Sequence, residues 1–188
     1  MNYSIIKRIF DFLFSIISLI IFCPLLLGIA ILIKLFDNGP IIFKQRRIGK
    51  KNKEFILYKF RSLPIDTNNL PSDQIEIIKL KTIGKFIRRT NIDELPQLIN
   101  IMKGDMSFVG PRPALKSQVD LINLRSKNKS YLCTPGLTGL AQINAFDGMS
   151  IYQKSYFDEE YKISYNFILD IIIIIRTFFY LFKRPPKY

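Results

Sequence analysis

Two adjacent carboxylates, Asp93 and Glu94, lie between cations and stiff backbone. Arg88 and Arg89 precede them, and Gly110-Pro111-Arg112-Pro113 follows. A carboxylate pair can hold a hard cation, move a proton or attack an electrophile. Arg112 stands between two prolines, which fix the backbone in an extended form. A guanidinium held this way suits bidentate phosphate recognition. Each residue also has a plainer explanation. Acidic residues before a helix are usually caps, and arginines are usually solvated charge. On residue physics alone the two explanations of Arg112 are even.

The rest of the composition narrows the chemistry. The chain has 188 residues and no histidine. A Ser-His-Asp triad, a Cys-His pair and a His-ligated zinc site are therefore all excluded. Proton and nucleophile chemistry falls to carboxylates, Lys, Tyr, Ser or Cys. The two cysteines, Cys23 and Cys133, form no CxxC pair and no metal-ligand spacing. GxGxxG and GxxxxGK[ST] are absent, so neither a dinucleotide fingerprint nor a P-loop is supported. A formal net charge of +13 points to anionic partners: nucleic acid, anionic lipid or phosphorylated substrates. No nucleic-acid-binding motif accompanies that charge, and we expect no nucleic-acid partner.

Several elements must position these residues. Ile41 to Arg47 and Phe55 to Arg61 read as two strands joined by the polar turn at Gly49 to Lys53. Thr67 to Asp73, with Pro71, reads as a loop. Ile83, Phe86 and Ile87 recur at helical spacing just before the carboxylates. Leu95, Leu98, Ile99 and Met102 mark one helix face, with Gly104 as its stop. If Asp93 is the N-cap, Pro96 falls in the first turn, where its missing N–H is harmless. Both carboxylates would then sit at a helix N-terminus, which also favours phosphate.

The N-terminal segment is a membrane element. The apolar run from Phe12 to Ile33 has roughly the 20 residues that a spanning helix needs. It is too long for the h-region of a signal peptide. Pro24, near its middle, predicts a kink. Basic residues flank both sides: Lys7 and Arg8 before it, Lys34, Lys44, Arg46 and Arg47 after it. The positive-inside tendency keeps both ends cytoplasmic, which favours a re-entrant helix over a spanning one. Phe167 to Phe182 is a second apolar stretch, interrupted by Asp170 and Arg176. An amphipathic helix at the membrane surface suits it, with Lys183, Arg184 and Lys187 near anionic headgroups. A plain core helix fits nearly as well.

Ordered motifs then give a resemblance. Asp93-Glu94-Leu95-Pro96-Gln97-Leu98, followed by Gly104-Asp105-Met106-Ser107-Phe108-Val109-Gly110-Pro111-Arg112-Pro113, closely resembles the bacterial sugar transferase family, the monotopic phosphoglycosyl transferases. Tyr58-Lys59-Phe60-Arg61-Ser62 and Pro135-Gly136-Leu137-Thr138-Gly139-Leu140-Ala141-Gln142 resemble two further family motifs. The likeness runs from Lys7 to about Tyr161 and implies the minimal, catalytic-domain form. It implies a sugar 1-phosphate moved from a UDP-sugar to polyprenyl (undecaprenyl) phosphate, the first membrane step of capsule, O-antigen, exopolysaccharide or glycoprotein glycan synthesis. Asp93 is implied as the nucleophile on the β-phosphate, with release of UMP and a phosphosugar-aspartate intermediate. Mg²⁺ is implied at Asp93 and Glu94, and Cys23-Pro24 matches the re-entrant bend. Lys59, Arg88 and Arg112 are our candidates for phosphate contacts, and Asp158 matches an acidic position near the site.

The chain departs from the family pattern at Leu140 and Ile151, where Trp is usual, and at Ala145-Phe146, where Gly-Arg is common. These positions lie away from the carboxylate pair and bear on nucleotide or sugar contacts. The expected fold is α+β: a re-entrant membrane helix over residues 1–36, then a helix-rich cytoplasmic catalytic domain over 37–188 with a short hairpin. The expected location is the cytoplasmic face of the bacterial inner membrane. The sugar, the carrier length and the oligomeric state are not set by the sequence.

Overall fold

The computed structural model describes residues 3–36, 39–62, 82–144 and 149–183. The loop expected at Thr67 to Asp73, the pair Ala145-Phe146 and the cations Arg184 and Lys187 lie outside the described residues, as does the side chain of Lys183. Among these residues the architecture is mixed and helix-rich, with two small two-stranded sheets.

Helix α1 (Tyr3–Phe36) carries Pro24 inside it and does not end there. It is apolar and long enough to cross a membrane. Most of its side chains are unpacked: Ile20, Leu27 and Leu35 are 69, 60 and 72% exposed. It meets the rest of the protein on both sides of Pro24. Before it, Arg8 donates to the carbonyls of Ile101 and Met102 at 2.7 Å each, and Asp11 accepts from the Phe108 N–H at 3.1 Å. After it, Ile29 and Ile33 are buried against Phe60 and Ile87.

The hairpin forms as expected, with both strands displaced by one residue. Strands β1 (Ile42–Ile48) and β2 (Glu54–Phe60) are antiparallel, from Ile42 opposite Phe60 to Ile48 opposite Glu54. Helix α2 (Thr82–Arg89) buries Ile87. Gly84 lets α2 approach the end of the hairpin: a Cβ there would lie 2.3 Å from the Ser62 carbonyl oxygen.

One expectation is corrected. Asp93 does not cap the next helix. It lies inside a tight 3₁₀ turn, Ile92–Glu94, entered through left-handed Asn91, and α3 (Gln97–Lys103) begins only after Pro96. Proline has no N–H to close the earlier α-turn. The chain therefore takes shorter bonds, with the Leu95 N–H on the Ile92 carbonyl at 3.1 Å. The expected stop is borne out: Gly104 has φ 92°.

Strand β3 (Ser107–Val109) pairs in parallel with β4 (Gly136–Thr138), a sheet that hydrophobic patterning had not suggested. Glycines make this pairing possible. A Cβ on Gly136 would lie 2.1 Å from the Gly110 nitrogen, so the Pro-Gly-Leu-Thr-Gly motif serves as a backbone seat for Gly110-Pro111-Arg112. Helices α4 (Val119–Lys127) and α5 (Leu140–Asn144) both pack on α6 (Ile151–Ser164), and Tyr161 of α6 packs on Val109 of β3. A reciprocal Ser150–Gln153 capping box starts α6.

Helix α7 (Phe167–Lys183) buries Asp170 and Ile173 and leaves most of its other apolar side chains exposed. Its Asp170 is buried and accepts from the hydroxyls of Tyr161 at 2.7 Å and Tyr3 at 2.5 Å, and it also pairs with Lys7. Ile168, Ile172, Ile175, Phe178 and Phe179 are exposed. A core helix would bury those side chains. Apolar surface of this extent marks contact with lipid or another apolar partner.

Candidate active site

Glu94 is the hub of the site. Its Oε1 accepts from Lys59 Nζ at 2.6 Å and from Arg112 Nη2 at 3.0 Å. Lys59 comes from β2 and Arg112 from the loop after β3, so three separate segments converge on one carboxylate oxygen. Asn100, fully buried on α3, sets the first of these distances. Its Nδ2 donates to the Ile56 carbonyl at 2.7 Å, and its Oδ1 accepts from the Tyr58 N–H at 3.0 Å. A side-chain amide thus replaces a neighbouring strand along β2 and locks Lys59 against the turn that carries Glu94.

Arg112 is held from behind. Arg125 Nη1 donates to the Arg112 carbonyl at 2.9 Å, while its Nε donates to Asp158 Oδ2 at 2.8 Å. Asp158, 2% exposed, therefore joins the site through Arg125. Arg47 Nη1 donates to the Pro113 carbonyl at 3.1 Å and its Nε to Gln45 Oε1 at 2.9 Å. Burial and the nearby Arg112 charge push Arg47 down to about 10, although Glu94 pulls the other way. Sequence reasoning missed Asn100, Arg125 and Arg47. Strand alternation could have found Arg47, since its neighbour Arg46 points to solvent with a side chain 81% exposed.

The two carboxylates divide into different states. Burial alone would raise Glu94, but the charges of Lys59 and Arg112 and their hydrogen bonds hold it well below the usual range. Burial pushes Asp93 above the usual range; Lys59 opposes this, Glu94 adds to it, and Arg88 and Arg112 oppose it further. Asp93 is 7% exposed, and among the described residues nothing hydrogen-bonds its carboxylate. One acid is tied down by two cations. The other is left uncommitted among three.

The donor set fits a hard divalent cation. Mg²⁺ takes oxygen ligands and commonly binds through one or two carboxylates, completed by substrate phosphates and water. Asp93 and Glu94 supply two such carboxylates, and no third acidic, His or Cys group joins them among the described residues.

The structure therefore gathers Asp93, Glu94, Lys59, Arg88 and Arg112 in one place. Cys23 and Pro24 lie on the exposed side of α1, beside Met102 of α3. Residues 2–184 match the family model described as bacterial sugar transferase. The chain belongs to the bacterial sugar transferase family.

This sugar transferase is 37% identical over 182 residues to the UDP-N-acetylgalactosamine-undecaprenyl-phosphate N-acetylgalactosaminephosphotransferase of Aeromonas hydrophila, covering 93% of this chain and 43% of that protein. It is 37% identical to the uncharacterized sugar transferase EpsL of Bacillus subtilis, covering 92% of this chain and 85% of EpsL. It is 34% identical to the undecaprenyl-phosphate galactose phosphotransferase of Salmonella typhimurium, covering 97% of this chain and 42% of that protein. The chain thus spans about two fifths of the Aeromonas and Salmonella proteins. Within this sugar transferase, Leu140 packs on the cluster of Val109, Tyr161 and Ile173, so that departure from the family pattern is a packing change. Ile151, at the start of α6, is 38% exposed.

Proposed function

We propose that this sugar transferase moves a sugar 1-phosphate from a UDP-sugar to polyprenyl phosphate, of the undecaprenyl class named for its relatives, and releases UMP. The observation that carries this reading is the division of labour between neighbouring carboxylates. Glu94 is neutralised by Lys59 and Arg112, while Asp93 is desolvated and uncommitted. A nucleophile needs that freedom, and an anionic substrate needs that positive surround.

Asp93 attacks the β-phosphorus of the donor. One Oδ–P bond forms, the bond from β-phosphorus to the bridging oxygen breaks, and UMP leaves with that oxygen and its electron pair. The acceptor's phosphate oxygen then attacks the same phosphorus. The Oδ–P bond breaks, the Asp93 carboxylate is restored, and a polyprenyl diphosphate sugar departs. Lys59, Arg88 and Arg112 orient the phosphoryl oxygens and offset the repulsion between carboxylate and diphosphate. Mg²⁺ held by Asp93 and Glu94 would supply further charge neutralisation on those oxygens. Glu94 keeps Lys59 and Arg112 in register whether or not a donor is present.

The membrane reading follows from α1. A helix that crosses the bilayer carries its far end away from the domain that its near end touches. Here Arg8 and Asp11 on one side of Pro24, and Ile29 and Ile33 on the other, contact the same body. This favours a re-entrant helix with both termini on the cytoplasmic side, where a UDP-sugar is made and a lipid phosphate can meet it. The relatives' names specify different sugars, so the sugar is left to experiment.

The deciding assay screens UDP-sugars with undecaprenyl phosphate and identifies the nucleotide released. UMP supports phosphosugar transfer. UDP would mean a conventional glycosyl transfer that leaves a single phosphate on the lipid.

A further inference from the structure

A cleft of about 300 Å³ opens between α1 and α7, with Phe10 and Phe14 on one wall, Ile171 and Ile174 on the other, and Phe108 and Val109 of β3 at its floor. Such a volume is at the lower end of the roughly 300–1,000 Å³ found for small-molecule sites. We propose that this cleft seats the isoprene units nearest the phosphate of the carrier lipid; this rests on the acceptor being a polyprenyl phosphate.

Charge decides what part of a lipid can enter. Among the described residues the one cation lining the cleft, Lys7, is paired with Asp170, and Asp11 lines it too. Two carboxylates against one ammonium repel an anionic headgroup and leave hydrocarbon as the favoured occupant. The phosphate must therefore lie beyond the end of the cleft. The floor residue Val109 is three positions from Arg112, so their α-carbons are at most about 11 Å apart. A chain lying in the cleft can thus present its phosphate to the cations around Glu94. The walls suit the same occupant. Phe14 and Ile174 are 52 and 42% exposed, and such apolar rims mark contact with lipid or another apolar partner. An ordinary phospholipid would fill the same hydrocarbon space, so competition between the two lipids separates them.

The test uses the full chain in nanodiscs with undecaprenyl phosphate. The measured quantity is the ratio of lipid-dependent turnover to the lipid-independent exchange of labelled UMP into UDP-sugar, or to the donor kcat/KM where no exchange occurs. Ile171→Trp and Ile174→Trp narrow the cleft from lipid-exposed positions, and the ratio should fall about fivefold or more. Ile168→Trp, 70% exposed on the same helix and outside the cleft, should leave the ratio within about twofold, as surface changes do. An unchanged ratio in both cleft variants overturns the proposal. A photoreactive isoprenoid phosphate should label peptides from α1 and α7, with competition by undecaprenyl phosphate. Equal competition by phosphatidylglycerol would make the cleft a general acyl-chain site and also overturn it. If the unaltered protein shows neither exchange nor turnover, it is the transferase reading that fails, a result distinct from either.

Discussion

Arg125 uses one guanidinium to join two residues that never meet: it bonds the Asp158 carboxylate at 2.6 Å and the Arg112 main-chain carbonyl at 2.9 Å. Asp158 is thus a positioning residue. It holds Arg125, Arg125 holds the backbone of Arg112, and Arg112 faces Glu94. Asp158→Asn should destabilise the fold by about 3 kcal/mol, because a buried guanidinium loses its counter-charge. Replacing the pair together, Arg125→Met with Asp158→Leu, should restore most of that stability. It should not restore kcat/KM, since the Arg112 carbonyl still lacks its donor. Urea unfolding alongside steady-state kinetics separates the two effects. Joint recovery of stability and activity would reduce the pair to a packing element.

The two members of the dyad should fail differently. Asp93→Asn removes the proposed attacking oxygen and should lower turnover by a factor on the order of 10³ or more, with membrane association intact. Glu94→Gln keeps the nucleophile and loosens Lys59 and Arg112, so it should raise the donor KM as well as lower kcat. Substantial turnover by pure Asp93→Asn protein, with deamidation excluded, would remove Asp93 from the nucleophile role.

Much of this site is legible in the sequence. The hairpin, the α2 helix before the dyad and the Gly104 stop followed from turn residues and apolar spacing, because those signals are local. Asp93, Glu94, Lys59, Arg88 and Arg112 were all named and all converge. The 3₁₀ turn was not legible, since Pro96 is compatible with either a capped helix or a delayed one. The parallel β3–β4 pair was missed because its three-residue strands are too short to show alternation and are joined by glycine contacts instead. Arg125 and Asn100 act through partners distant in sequence, and nothing in their own neighbourhoods marks them. The burial of Asp170 on α7 is not legible in the sequence, because its partners Tyr3 and Lys7 lie at the other end of the chain.

Activity should depend on pH and metal together. In the proposed mechanism Asp93 attacks only when ionised, and burial raises its carboxyl above the ordinary aspartate range. As pH falls, the donor kcat/KM should therefore decline at a pH above the roughly 4 of a free carboxylate. A bound divalent cation favours the ionised form, so raising Mg²⁺ should move this limb to lower pH. EDTA should abolish turnover and added Mg²⁺ restore it. A limb that does not respond to Mg²⁺ would place the cation away from Asp93.

Both ends of the chain should lie on the cytoplasmic side. Single cysteines placed near each terminus, in a Cys23→Ser, Cys133→Ser background, should resist a membrane-impermeant thiol reagent in intact cells and react after lysis. A periplasmic N-terminus would establish a spanning α1. Pro24→Ala should shift some molecules toward that form, because the helix regains the hydrogen bond that proline removes.

The central claim is that Asp93 becomes covalently phosphorylated before the lipid is needed. Purified protein incubated with Mg²⁺ and a UDP-sugar labelled in the β-phosphate, with no lipid present, should release UMP and retain label on the enzyme. Mass spectrometry should place the sugar phosphate on the peptide containing Asp93, and adding polyprenyl phosphate should discharge it as lipid-linked sugar. If no labelled enzyme forms and UMP appears only once lipid is added, transfer is direct within a ternary complex, and Asp93 is a metal ligand and not the nucleophile.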